Sequence, residues 1–267
     1  MRIAIIGSGI AGSVAARRLC AAHEITVFEA DGRPGGHTHT HSIALQGRVW
    51  QVDSGFIVFN DWTYPNFIAL LDELGVASQP SRMSFSVRCE RTGLEYNGTT
   101  LNTLFAQRRN LVRPAFLRML REILRFNREA PALLDGGEGD LPLGAWLGRE
   151  GYSSEFVERY LVPMGAAIWS ADPAQMHAFP ARFLVRFLHN HGMLSVDRRP
   201  QWRVVAGGSR RYLDRLLAPF RDRVRLGSPV RALRRHAAHV EICTDAVGTE
   251  QFDCVFVACH CDQALAL

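Results

Sequence analysis

Arg2-Ile3-Ala4-Ile5-Ile6-Gly7-Ser8-Gly9-Ile10-Ala11-Gly12 opens the chain and decides how the rest is read. Five residues of strand character run straight into a glycine turn. The segment Ser13 to Ala22 then has helical character, with small residues near the turn. That order gives G-x-G-x-x-G a physical meaning. Gly7 permits the tight turn, Gly9 lets backbone approach a pyrophosphate, and Gly12 lets helix and strand pack closely. The helix N-terminus then presents unpaired N–H groups and a partial positive charge to phosphate. Ser8, Ile10 and Ala11 complete the loop and join the candidate binding residues. A second strand, Glu24-Ile25-Thr26-Val27-Phe28, ends at Glu29, 17 positions after Gly12. A carboxylate at that place can accept the hydroxyls of a ribose.

The chain runs on as Glu29-Ala30-Asp31-Gly32-Arg33-Pro34-Gly35-Gly36-His37-Thr38. This resembles the E-A-x-x-R-x-G-G-R-x-T segment of the flavin-containing amine oxidase superfamily, which includes monoamine and polyamine oxidases, protoporphyrinogen oxidase and phytoene desaturases. Within it, the chain is most similar to bacterial NAD/FAD-binding amine-oxidase-like proteins. The resemblance implies FAD as cofactor, with this stretch wrapping the pyrophosphate. Glu29, Ala30, Arg33, Gly35, Gly36 and His37 are the residues it carries over. Paired glycines expose backbone N–H groups and Arg33 adds a fork of donors. His37 stands where many members have arginine, so one phosphate contact is made differently.

Val52-Asp53-Ser54-Gly55-Phe56 resembles the family's D-x-G segment, which passes beside the flavin ring; Gly55 and Phe56 are carried over. Gly207-Gly208 followed by a helix over 211–219 resembles a later paired-glycine element. Strands at 224–230, at 239–243 and from Cys254 resemble the family's three-stranded element over the adenine, with Val230 offering its backbone to the adenine edge. The resemblance thus implies an α/β fold: a discontinuous Rossmann-like FAD-binding domain, 1–75 and 201–267, with an inserted, mostly helical substrate domain, 76–200. The implied activity is hydride transfer from a substrate C–H bond to flavin N5, the substrate being an amine or an apolar, lipid-like molecule. Alternatives are a redox-neutral, mutase-like FAD enzyme and a truncated, non-catalytic dinucleotide-binding protein. The final residues, 262–267, read as a helix just begun, so the chain is expected to be shortened at its C-terminus relative to the family. No catalytic residue is assigned.

Composition narrows the field. The 267 residues are 47% hydrophobic and 21% charged, a globular balance that excludes disorder. The net charge is +5, and every one of the 31 basic residues is arginine, which removes lysine Schiff-base chemistry. Charge of this size without a binding motif is no nucleic-acid signature. The six cysteines are irregularly spaced, which predicts reduced thiols. No apolar run approaches the length of a membrane span and no secretory signal is legible, so a cytoplasmic protein is expected. The segment 115–128 reads as an amphipathic basic helix, either the solvated face of the inserted domain or a peripheral contact with lipid at the inner membrane surface. His37, His39 and His41 alternate, which on a strand from Thr38 to Leu45 places three imidazoles on one face; no further ligand stands nearby and no metal is assigned. The stretch 162–170 fits either core packing or a cavity wall. The sequence does not determine the oligomeric state.

Overall fold

The computed structural model describes residues 1–136 and 141–267. They form two compact units: residues 1–59, 64–81 and 203–267 make the first, and 60–63 and 82–202 the second. Strand β1 (Arg2–Ile6) leads through the glycine turn into helix α1 (Ile10–Leu19). The helix starts three residues earlier than the sequence predicts, because the Gly9 carbonyl already accepts from the Ser13 N–H at 2.9 Å. Strand β2 (Glu24–Phe28) returns parallel to β1, with Ile3 opposite Ile25 and Ile6 opposite Phe28. Their apolar faces are almost wholly buried, as expected of a parallel sheet covered on both sides.

Strands β3 (His39–Leu45) and β4 (Arg48–Gly55) form a two-stranded antiparallel ribbon. Helix α2 (Pro65–Glu73) carries Pro65 at its first position, where the missing N–H costs nothing, and ends at Gly75 with φ 62°. It buries Phe67, Leu70 and Leu71 in the core of the first unit with Ile5, Val27, Tyr212 and Leu216.

The second unit is mostly helical around its own core. A hairpin pairs Ser86–Cys89 with Leu94–Asn97. Helix α3 (Pro114–Glu129) corresponds to the basic amphipathic segment. Its apolar stripe is spent on the core: Phe116, Met119 and Phe126 are buried with Trp146, Phe156 and Leu184. Only Leu124, 57% exposed, points outward from that stripe. The buried part of the stripe is thus occupied by the core of the second unit. Arg125 lies over the Tyr152 ring at 4.3 Å and donates to the Glu129 carboxylate and the Glu150 carbonyl. Burial pushes the Tyr152 hydroxyl up to about 12. Val162–Trp169 is helical, and a Cβ on Gly165 would stand 2.5 Å from the Met176 methyl, so this stretch serves core packing.

The chain re-enters the first unit through Trp202–Val205 and helix α4 (Arg210–Leu217). Strand β5 (Val224–Arg225) joins the edge of the parallel sheet beside β2. Strands β6 (Val230–Arg235), β7 (Val240–Thr244) and β8 (Gly248–Phe252) form an antiparallel sheet of three. Strand β9 (Cys254–Val257) returns to the parallel sheet beside β1, giving the order β5-β2-β1-β9. The three-stranded element is thus built from 230–252, and not from the segments at 224 and 254 that the sequence reading assigned to it. Both of those pair with the parallel strands instead. Among the described residues no helix is long and apolar enough to cross a membrane.

Candidate cofactor site

Three loops of the first unit converge at the C-terminal ends of β1 and β9. The Gly7 N–H donates to the Phe28 carbonyl at 2.8 Å, closing the turn with φ 98°. A Cβ on Gly7 would lie 2.8 Å from the Ala258 carbonyl oxygen. One on Gly12 would lie 2.0 Å from the Gly7 carbonyl oxygen, so helix and loop meet only because residue 12 lacks a side chain. Gly9 differs: nothing stands within 4 Å of its Cβ position. The second loop approaches here, since a Cβ on Gly36 would sit 3.2 Å from the Gly9 Cα. Helix α1 begins at this point with no side-chain cap and no acidic residue in its first turn. Ile10 and Ala11 are exposed there. An uncapped helix N-terminus behind an open glycine is a phosphate cradle.

Glu29 directly follows β2 and is buried. Its carboxylate accepts from the Ser8 N–H at 3.0 Å, from the Ser8 hydroxyl, and from the Asp31 N–H at 3.0 Å. Ser8 Oγ in turn accepts from the Gly35 N–H at 3.0 Å. Ser8 is fully buried, so its side chain ties the two glycine loops together and does not face outward. Two carboxylate oxygens offer about four acceptor positions; three donors use part of that capacity and leave room for a ribose hydroxyl. Gly227 and Ser228 donate to the Asp31 and Glu29 carbonyls at 2.9 and 2.8 Å. The segment entering Val230 is thereby held against the same strand end. Val230 itself is half-buried at a bulge opposite Thr244.

Arg33 is turned inward. Its guanidinium donates to the Gly36 carbonyl at 2.9 Å and the Thr38 carbonyl at 3.3 Å, bracing the loop. Gly35 is buried at φ 112°, Ala30 and His37 are exposed, and the His37 ring lies 5.0 Å from that of His260. The three alternating histidines do not share one face: β3 begins at His39, whose ring lies 4.0 Å from that of His41, while His37 falls outside the strand. Partial desolvation, then the charges of Arg33 and His41, holds His39 below the ordinary imidazole value.

Gly55 makes its close approach to protein backbone: its Cβ position lies 2.2 Å from the His37 carbonyl oxygen. Phe56 is left-handed, φ 47°, a conformation a bulky residue rarely adopts. Its ring is held edge-on by Tyr64 and Phe67 at 5.7 and 5.4 Å.

Two features escaped the sequence reading. Asp53 caps α4, accepting from the Ser209 N–H at 3.0 Å and the Ser209 hydroxyl at 2.9 Å, while Thr40 donates to its other oxygen. Thr38 and Tyr212 share a buried hydrogen bond of 2.6 Å, and burial raises the Tyr212 hydroxyl. The alternation of Thr38 and Thr40 along the chain was the available signal, but Tyr212 and Arg210, which they meet on the later helix, are more than 150 residues away.

The model of the family described as flavin containing amine oxidoreductase matches residues 10–265. The chain belongs to that family. A putative flavin-containing monoamine oxidase of Mycobacterium tuberculosis is 27% identical over 251 residues, covering 91% of this chain and 53% of the relative. The mitochondrial protoporphyrinogen oxidase of Nicotiana tabacum is 25% identical over 190 residues, covering 67% of this chain and 35% of that protein. Cyclohexylamine oxidase from Brevibacterium oxydans superposes with a TM-score of 0.75 at 20% identity, over 96% of this chain and 57% of that one. A putrescine oxidase variant gives a TM-score of 0.68 at 21% identity, over 97% and 58%. The chain spans about half the length of the first of these curated relatives. The cofactor that the family indicates is FAD, and an open Gly9, an uncapped α1 and a terminal carboxylate on β2 fit a dinucleotide.

Proposed function

We propose that this chain carries the FAD-binding site of an oxidoreductase that takes hydride from a substrate C–H bond, with an amine as the substrate class. The observation that carries the reading is the convergence of Gly9, Gly36 and the bare N-terminus of α1 beside Glu29. The amides of the first turn of α1 would hold the pyrophosphate. Glu29 would receive the ribose hydroxyls while its Ser8 bonds keep both glycine loops in register. Arg33 would act by closing the loop over 33–38, and the backbone at Val230 would face the adenine. The remaining carried-over positions, Ile10, Ala11, Ala30, Gly35, His37, Gly55 and Phe56, would line the approach to the cofactor. When bound, the isoalloxazine supplies the redox chemistry.

The family description and the monoamine oxidase relative favour an amine. An apolar, lipid-like substrate has less support, because the apolar stretch 162–169 is consumed by core packing. Residues 82–202 are read as a substrate unit on the same family grounds. The test is anaerobic mixing of the flavin-loaded protein with primary amines, and separately with unsaturated fatty acids. Loss of oxidised-flavin absorbance with amines alone supports the proposal. Bleaching by the lipids alone replaces the substrate class. Bound flavin that turns a substrate over without net reduction transfers the protein to the redox-neutral reading.

A further inference from the structure

The hairpin joining β6 to β7 gathers His236, His239 and Glu241, one potential metal-ligand atom of each lying within 4.8 Å of the others. His236 Nε2 stands 3.2 Å from one Glu241 oxygen, and His239 Nε2 stands 3.7 Å from the other. The two imidazoles lie face to face with centroids 4.5 Å apart and planes 15° from parallel. The His236 N–H donates to the His239 carbonyl at 2.9 Å, so backbone fixes the turn that brings both rings to one side. His239 Nε2 is shielded from solvent and makes no hydrogen bond. A buried ring nitrogen without a partner carries a desolvation cost that a ligand would remove.

We propose that these three side chains form a binding site for a divalent transition ion of the zinc class. Two imidazoles and one carboxylate are a donor set that zinc accepts, with water completing the tetrahedron. Bond lengths of about 2.0–2.2 Å place donor atoms about 3.5 Å apart, so the two His–Glu distances already match and only the ring-to-ring separation has to close. His236 is the exposed ring and the one that would move to close it. Arg234 and Gln251 stand opposite Glu241 on the neighbouring strands; the exposed Gln251 side chain hydrogen-bonds the Glu241 carboxylate, a bond that an incoming ion would displace. The site sits at the far end of β6 from Val230, about 17 Å along the strand, so it is independent of the cofactor reading. Its effect is to pin the β6–β7 turn.

The test is calorimetric titration of the reduced protein with zinc chloride. The expected result is one ion per chain, with affinity falling about tenfold or more in each of His236→Ala, His239→Ala and Glu241→Gln. Circular dichroism checks that the variants fold; the near-isosteric Glu241→Gln decides the matter should a histidine variant unfold. The six free thiols are competing ligands, so Cys259→Ser/Cys261→Ser is titrated in parallel and should bind zinc unchanged. No binding by the wild-type chain overturns the proposal. So does binding that survives all three hairpin changes, or that disappears with the two cysteines.

Discussion

Asp53 offers a quantitative test of how the first unit holds itself together. Its carboxylate receives the Ser209 N–H at 3.0 Å, the Ser209 hydroxyl at 2.9 Å and the Thr40 hydroxyl. Both donor residues are buried, so water cannot replace the lost acceptor. A hydrogen bond to a charged group contributes about 1.5–3 kcal/mol, and three that share one carboxylate are not additive. Asp53 also lies at the N-terminus of α4, where a negative charge contributes about 0.3–1 kcal/mol. Asp53→Ala should therefore cost about 3–4 kcal/mol of unfolding free energy. Asp53→Asn keeps one acceptor oxygen and should cost about 1–2 kcal/mol, and Ser209→Ala, which removes a single bond, about 1 kcal/mol. Urea unfolding followed by circular dichroism measures all three, and hydrogen exchange at the first turn of α4 should quicken in the same order. A loss below about 1 kcal/mol for Asp53→Ala, or equal losses for Asp53→Ala and Ser209→Ala, would refute the reasoning.

Three further expectations follow from the same geometry. Gly12→Ala forces a Cβ to 2.0 Å from the Gly7 carbonyl and should abolish flavin retention, whereas Gly32→Ala, with nothing within 4 Å, should retain it; equal flavin content in the two purified proteins contradicts this. His39 is held below the ordinary imidazole value of about 6.5, so as pH falls the unfolded chain takes up this proton first, and stability is lost progressively below about pH 6.5. His39→Gln should therefore lose less stability than wild type between pH 7.5 and 5.5, and parallel urea midpoints would reject this sign. Tyr96→Phe leaves the Arg159 carbonyl without its 2.6 Å donor and should lower the urea-derived stability by about 1 kcal/mol.

The parallel sheet and its glycine turn were legible because their signal is local: an apolar run, then glycines at fixed offsets, then a helix. The end of α2 has the same local signal, Gly75 marking it chemically. The grouping of the late strands was not. Val224–Arg225 and Val230–Arg235 look like one arginine-rich strand until Arg225 pairs with Phe28 and Val230 with Thr244. Pairing across 200 residues leaves no trace in local periodicity. Helix α3 shows a related limit, since an apolar stripe at helical spacing is the same whether it meets lipid or Trp146 and Phe156. Within the candidate site, Gly36 stands beside Gly9, and Glu29 is tied to the first glycine loop through Ser8. The hydrogen bonds that Asp53 and Arg33 make were not legible, because residue type alone does not tell which neighbour a carboxylate or guanidinium will choose. Asp53 turns to the end of a helix, and Arg33 to the carbonyls of its own loop.

The central claim is a dinucleotide site built from Gly9, Gly36, Glu29 and the N-terminus of α1. Its most direct test is equilibrium binding of FAD and of FMN to the purified, flavin-free chain, followed by flavin fluorescence. A site that grips the pyrophosphate and the adenosine ribose should bind FAD at least about tenfold more tightly than FMN, since the mononucleotide has neither the pyrophosphate nor a ribose to offer Glu29. Equal affinities for the two, or no binding of FAD, would contradict the account.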